Sequence, residues 1–381
     1  MRASCATGTG GRRRAQSIAV ALACVAGVLL SLALSGCPPP EPSEITVTVT
    51  DSGRPEQELT HEQIVELARR EGEMWWYTSL PDDQAREFLR RFQQQFPFIQ
   101  TRLVRGSTFD LVRRVDREIA QGQVSADALH VLDPAVFSDL QRRGELYVYD
   151  PPQARSIPPQ YQESGRWWAM RAVTICMAYN TRTLKPAELP HTWPDLLAER
   201  WKGKAGLKDA QTGGSAYAQY YLLREEYGAS YWRRMRDQKP KFYRSEADTI
   251  QALMSGEIKL AGGILGYSVY QASENEGLPI KPIWPEDGVP MIIGPLAVLS
   301  RSPHPHAAML FADYALSAEG QRAITELIGC YSVREDVPSP EGRPSLSELH
   351  LITPGGSWEE YRTRQERLQT EYSRLFHPES E

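Results

Sequence analysis

Three stretches of this 381-residue sequence put hydroxyl or glycine residues where a strand pattern gives way to a helix pattern. They are Thr78-Ser79, Ser107-Thr108 and Gly213-Gly214-Ser215. A helix start offers unpaired N–H groups and a partial positive charge, worth about 0.3–1 kcal/mol per exposed contact. Ser and Thr add hydroxyl donors, and glycine lets a ligand reach the backbone. Such groups suit a compact oxyanion: a phosphate, a phosphonate or a carboxylate. Each start taken alone is also an ordinary N-cap. A fourth candidate is Tyr267, which ends the glycine-rich run Gly262-Gly263-Ile264-Leu265-Gly266-Tyr267. Its phenol could donate to an anion or ligate a hard metal; packing in the core is the alternative. Arg105 and Lys208 close strand patterns and could supply counter-charge, although solvated surface is the default for both. Tyr217 is a weaker candidate, and Trp168 reads as core.

Catalytic patterns are missing. There is no HExxH, GxSxG, P-loop or aspartyl dyad, and the seven histidines are scattered. His304-Pro305-His306 looks like a metal fragment but reads rather as loop surface, and Asp127 and Asp133 could be a carboxylate pair. No cofactor is expected, and an enzyme is not the favoured class. The formal charge is −5, with 43 Lys+Arg against 48 Asp+Glu. Removing the four arginines of residues 1–36, a segment without acids, takes it to −9. With no basic block after residue 36, a nucleic-acid binder is disfavoured. Hydrophobic residues make up 41% of the chain, enough for a real core.

Arg12-Arg13-Arg14 precedes the uncharged run Ser17–Leu34, the layout of a secretory signal. The run ends Leu34-Ser35-Gly36-Cys37, which resembles the lipobox of bacterial lipoproteins. Residues 1–36 therefore read as a signal peptide and Cys37 as the lipid-attachment residue. Residues 37–57, rich in Pro, Ser, Thr and acids, read as a disordered tether. The body is then extracytoplasmic (periplasmic or on the cell surface). An uncleaved anchor would give the same side. Cys176 and Cys330 could pair there, but two separate buried thiols are the preferred reading.

The positioning elements follow from periodicity. Thr60 and Gln63 form a capping box that opens a helix over 60–71. Residues 74–77 form a strand, 82–96 an amphipathic helix, 99–104 a strand and 109–121 a helix. Residues 128–132 are strand-like and 134–143 helical. A second series starts with the long apolar run from Trp167 to Ala178. It continues with a Thr192-capped helix, a strand at 206–208, helices to 227, over 230–237 and over 246–255, a strand at 258–263 and a helix over 266–276. Strands at 280–283 and 291–299 precede helices at 306–316 and 318–328. Ser357-Trp358-Glu359-Glu360 caps a last helix to about Phe376. Alternating strands and helices mean βαβ units and a mostly parallel sheet.

The segments WWYTSL, RGSTFDLVRRVDREIA, SADALHVLD, GRWWAMRAVTICMAYNT, LPHTWPDLLAERWKGKAGLKDAQTGGSAYAQYYLL, SGEIKLAGG and AMLFADYALSAEGQRAI occur in the order seen in extracellular solute-binding proteins of ABC importers. The chain resembles their ferric-iron, phosphonate and sugar-phosphate branch over about residues 70–340. The resemblance implies an α/β type II periplasmic-binding fold, with two lobes joined by two crossover strands and a ligand cleft between them. The crossovers would fall near Ala169–Val173 and Val289–Pro295. Lobe one would be 58–170 plus 296–345, lobe two 171–295, and 346–381 a C-terminal helical extension. The resemblance gathers Thr78, Ser79, Ser107, Thr108, Gly213, Gly214, Ser215 and Tyr267 around one cleft. It implies a small anionic solute, importer permease subunits as partners, a membrane contact through the N-terminal lipid, and a monomer. Ferric relatives hold metal with adjacent tyrosines on the glycine-rich turn. Here that turn reads Gly266-Tyr267-Ser268-Val269-Tyr270, so iron through Tyr267 is the alternative and an organic anion the preferred ligand. A sensor-system binding module and an extracytoplasmic hydrolase are the rival functions.

Overall fold

The computed structural model describes residues 59–163 and 165–378. Cys37, the signal run and the tether lie outside the described residues. The contacts divide the chain into Met1–Glu44 and Ile45–Glu381, and everything below concerns the second unit. Helix α1 (His61–Glu71) opens on the expected capping box, with the Gln63 amide donating to Thr60 Oγ1 at 3.3 Å. Then come β1 (Glu73–Thr78), α2 (Asp82–Gln95), β2 (Gln100–Arg105), α3 (Thr108–Gln121), β3 (Ala128–His130) and α4 (Pro134–Arg142). The short β4 (Gln162–Glu163) leads into β5 (Trp167–Asn180), which is buried along its whole length. The second series is β6 (Ala205–Lys208), α5 (Gly214–Asp237), β7 (Lys241–Tyr243), α6 (Glu246–Ser255), β8 (Leu260–Leu265), α7 (Gly266–Tyr270) and β9 (Ile280–Ile283). The chain finishes with β10 (Val289–Val298), α8 (Pro305–Leu316), α9 (Ala318–Ala323), β11 (Leu351–Ile352) and α10 (Trp358–Phe376).

The strand order is β2-β1-β3-β10-β5-β8-β6-β7. β1, β2 and β3 run parallel, as do β6, β7 and β8. β5 and β10 lie antiparallel in the middle and belong to both halves. β10 pairs with β3 only through Leu296–Val298, and β5 pairs with β8 only from Ile175 onward. Between those stretches, Arg171–Thr174 and Met291–Gly294 pair only with each other within the sheet path. This two-stranded bridge joins the halves of a type II periplasmic-binding fold. Strands covered on both faces must be apolar throughout, which explains the run WWAMRAVTICMAYN.

Some local expectations shift. The strand foreseen at 258–263 is β8, two residues later. The two helices foreseen after Gly213 are one element kinked at Gly228 (φ 72°, ψ 175°), a backbone conformation that glycine adopts at little cost. The Thr192 helix is a short 3₁₀ segment, Trp193–Leu197. Cys176 and Cys330 are free, buried thiols.

Candidate functional site

The strand ends of both halves converge on the bridge. Arg171 is the single charge in β5 and is fully buried, 0% exposed. Its Nε donates to His130 Nε2 at 3.3 Å, and its Nη1 to Cys330 Sγ at 3.4 Å. Its Nη2 is buried with no partner among the described residues. The guanidinium carbon lies 5.9 Å from the centre of the Tyr267 ring. Burial, reinforced by the Arg171 charge, holds the His130 pKa well below the usual imidazole range. The ring is therefore neutral. Because Nε2 accepts from Arg171, Nδ1 carries the proton and donates to Thr78 Oγ1, 2.8 Å away. Thr78 Oγ1 also accepts from the Leu80 amide at 3.2 Å. Its own O–H is left as a donor. Ser79 Oγ is buried with no partner among the described residues, and the Ser79 amide donates to His130 O at 3.1 Å. Burial pushes the Tyr267 phenol up to about 12, so it is a neutral O–H donor at physiological pH.

Tight glycine contacts shape the site. A methyl group on Gly294 would lie 2.9 Å from His130 Nε2, and one on Gly266 would lie 2.7 Å from the Trp284 ring. Gly213 and Gly214 have φ of +75° and +57°, and they meet α3 from the other half. A methyl on Gly213 would lie 2.8 Å from the Phe109 ring, and one on Gly214 would lie 3.1 Å from Thr108 Oγ1. The halves are thus closed on one another here.

Not every sequence candidate joins this cluster. Thr78, Ser79 and Tyr267 surround Arg171 and His130, while Thr108 and Gly214 meet at the seam. Ser107 is exposed and caps α3, accepting from the Asp110 amide at 3.2 Å. Ser215 accepts from Lys208 Nζ at 3.3 Å, and Lys208 is neutralised by Glu246 at 2.7 Å. Arg105 is exposed. Tyr217 is buried against Tyr361 of α10. Tyr220 and Tyr221, neighbours on α5, also face α10: Tyr220 donates to Glu371 at 3.1 Å and Tyr221 packs at a tilt on Tyr361. Among the described residues no group of three or more His, Cys, Asp or Glu could hold a metal ion. The sequence reading missed Arg171 and His130. The available signal was a lone arginine inside a 14-residue apolar run.

Asp133 caps α4 with its carboxylate on the Ala135 amide at 3.1 Å, and it accepts from Gln365 of α10 at 2.7 Å. Burial raises its carboxyl to about 6. Its folded pKa is above the ordinary value of 3.8, so the native state binds the extra proton between about pH 4 and 6. Its contribution therefore favours folding at low pH and is lost as the pH rises through 6. Asp133→Asn keeps the cap and removes the penalty. We expect it to raise stability at pH 7 by about 2–3 kcal/mol and to flatten the melting temperature between pH 4 and 6. Parallel melting curves of both proteins across that range check this.

The fold is the two-lobe type II periplasmic-binding fold. The family of bacterial extracellular solute-binding proteins matches residues 124–351, more than half of the chain, and the protein belongs to that family. It is accordingly an extracytoplasmic solute-binding protein and not an enzyme. An uncharacterized protein of Haemophilus influenzae is 27% identical over 138 residues, which is 35% of this chain and 39% of that relative's length. The fold is shared with iron-bound HitA from Pseudomonas aeruginosa (21% identity, TM-score 0.69, 79% of this chain and 99% of that one). It is shared too with the periplasmic binding protein AfuA from Actinobacillus pleuropneumoniae, solved with fructose-6-phosphate bound (20% identity, TM-score 0.70, 80% and 98%).

Proposed function

We propose that the chain captures a small anion, a phosphonate, sugar phosphate or carboxylate, between its lobes and delivers it to importer permease subunits. The observation that carries this reading is the buried Arg171 guanidinium, which has no carboxylate partner among the described residues and lies with Tyr267 beside the His130–Thr78 pair. A buried guanidinium lacking a counter-ion is costly, and an oxyanion satisfies it with charge-assisted hydrogen bonds. The same cation disfavours bare ferric ion, and a single tyrosine is a poor clamp for it. Iron would need a bridging anion. The lobes, proposed as 58–170 with 296–345 and 171–295, would close about the 171–174/291–294 bridge. Cys37 would carry the lipid that keeps a monomeric receptor at the membrane.

The test is a thermal-shift screen of inorganic phosphate, methylphosphonate, fructose 6-phosphate, citrate and ferric citrate. A ligand at about 100 times its Kd adds about 2.7 kcal/mol of stability. At least one organic anion should raise the melting point by several degrees. A shift with ferric citrate and none with citrate would favour the iron reading, and no shift with any would count against both.

A further inference from the structure

The sequence contains no long basic block after residue 36, but the fold builds a basic face from separate segments. Arg200, Lys202 and Lys204 precede β6, and Arg236, Lys239 and Lys241 lie between the last turn of α5 and the start of β7. All six are exposed. The segments are knit together by the Gly203 amide on Gln238 O at 2.7 Å and by Gln238 Nε2 on Leu197 O at 3.0 Å. Three of the cations pair with acids: Lys202 with Glu199 at 3.2 Å, Arg236 with Asp237 at 2.9 Å and Lys241 with Glu257 at 3.3 Å. Arg200, Lys204 and Lys239 have no ion pair among the described residues. The face therefore keeps a net positive charge on a chain whose formal charge is −5.

Its position is fixed by topology. β6, β7 and β8 are parallel, and their carboxyl ends lead to Lys208, Ser215 and Tyr267. The basic face lies at their amino ends, roughly 13 Å along β6 from the solute-facing end. We propose that this pole of the second lobe is a docking surface for the anionic phospholipid headgroups of the membrane beside which the receptor works. Several exposed cations on one face gain affinity for a negatively charged bilayer, and salt screens the attraction. Nucleic acid is the less suitable polyanion, because the family places the chain outside the cytoplasm and Trp201, the aromatic residue within the segment, is buried.

The experiment uses the chain from Ile45 onward, the compact unit, so that no lipid anchor contributes. Vesicles of phosphatidylcholine alone and with one quarter phosphatidylglycerol are co-sedimented with it at 20 and 300 mM salt. Binding is expected only to the anionic vesicles and only at low salt. Arg200→Glu with Lys204→Glu and Lys239→Glu should weaken it about tenfold or more. An equal reversal at the exposed Arg117, Arg155 and Arg322 should change it less than twofold. Retained melting temperatures and anion-induced thermal shifts show that both triple variants fold and that solute binding is a separate property. Equal losses in both triples, equal binding to neutral vesicles, or no binding at low salt each overturn the proposal. Binding to duplex DNA as tight as to the anionic vesicles overturns the lipid assignment.

Discussion

Arg171→Met is expected to lose anion binding by about a hundredfold or more while melting no lower than the wild-type protein. The two effects share one cause. Arg171 is fully buried, and among the described residues no carboxylate balances its charge; His130 Nε2, the Cys330 thiol and the Tyr267 ring lie against it. Removing such a charge and keeping the volume relieves a desolvation penalty, so stability holds or rises. The same change deletes the forked donor on which an oxyanion would sit. Charge-assisted bonds contribute about 1.5–3 kcal/mol each, and two of them account for the expected loss. Arg171→Lys keeps the charge without the fork and should fall between the two. Calorimetric titration with the strongest ligand of the thermal-shift screen, alongside melting curves, reads both quantities. A Met variant that binds like wild type would remove Arg171 from the site. One that binds normally but unfolds would make it a structural residue.

Ending the chain at Gly356 is the second large effect. Helix α10 is not an appendage: Tyr361, Leu368 and Tyr372 are buried to 2% exposure or less. Tyr361 packs on Tyr217 and Tyr221, Tyr372 on Tyr220, and Phe376 on Trp232 and Phe242. Glu371 accepts from Arg224 Nε at 2.7 Å, and Gln365 reaches Asp133 at 2.7 Å. The helix thus touches α5 in one half and α4 in the other. Burial of each large apolar side chain stabilises by about 1.5–3 kcal/mol, so deletion should cost at least 5 kcal/mol. That is a large share of a typical total of about 5–15 kcal/mol. The truncated protein should melt about 10 °C lower or fail to accumulate. Leu368→Ala, at about 2–5 kcal/mol, is the milder version. Because α10 spans the halves, the truncated body should also be more open in solution scattering. A loss of a degree or two with unchanged dimensions would refute this account of the helix.

Much of the fold was legible because its signals are local. The Thr60–Gln63 capping box, the Phe88–Phe92 face of α2, the apolar run of β5 and the Ser357–Glu360 box each depend on residues a few positions apart. Those patterns also carried the family resemblance. The candidate cluster around Arg171 was legible only in part. Thr78, Ser79 and Tyr267 were picked out as hydroxyls at strand ends, which the parallel topology gathers together. Ser107 and Ser215 met the same criterion, yet they cap a helix and serve a Lys208–Glu246 pair. The choice between a ligand contact and an internal bond turns on neighbours the local sequence does not contain.

By itself the sequence determined the alternation of elements, the buried crossover strand and the acidic balance of the chain. These follow from side-chain size, polarity and spacing along a few turns or strands. The tertiary structure decided which distant residues meet. Arg171 finds His130 across 41 positions and Cys330 across 159 because β5 and β10 bridge the halves. It also merged residues 200–204 with 236–241 into one basic face and laid α10 across both halves. Juxtapositions of this kind depend on strand order and on how two halves close. No pattern of a few residues encodes either one, because the free energy that selects them is spread over the whole core.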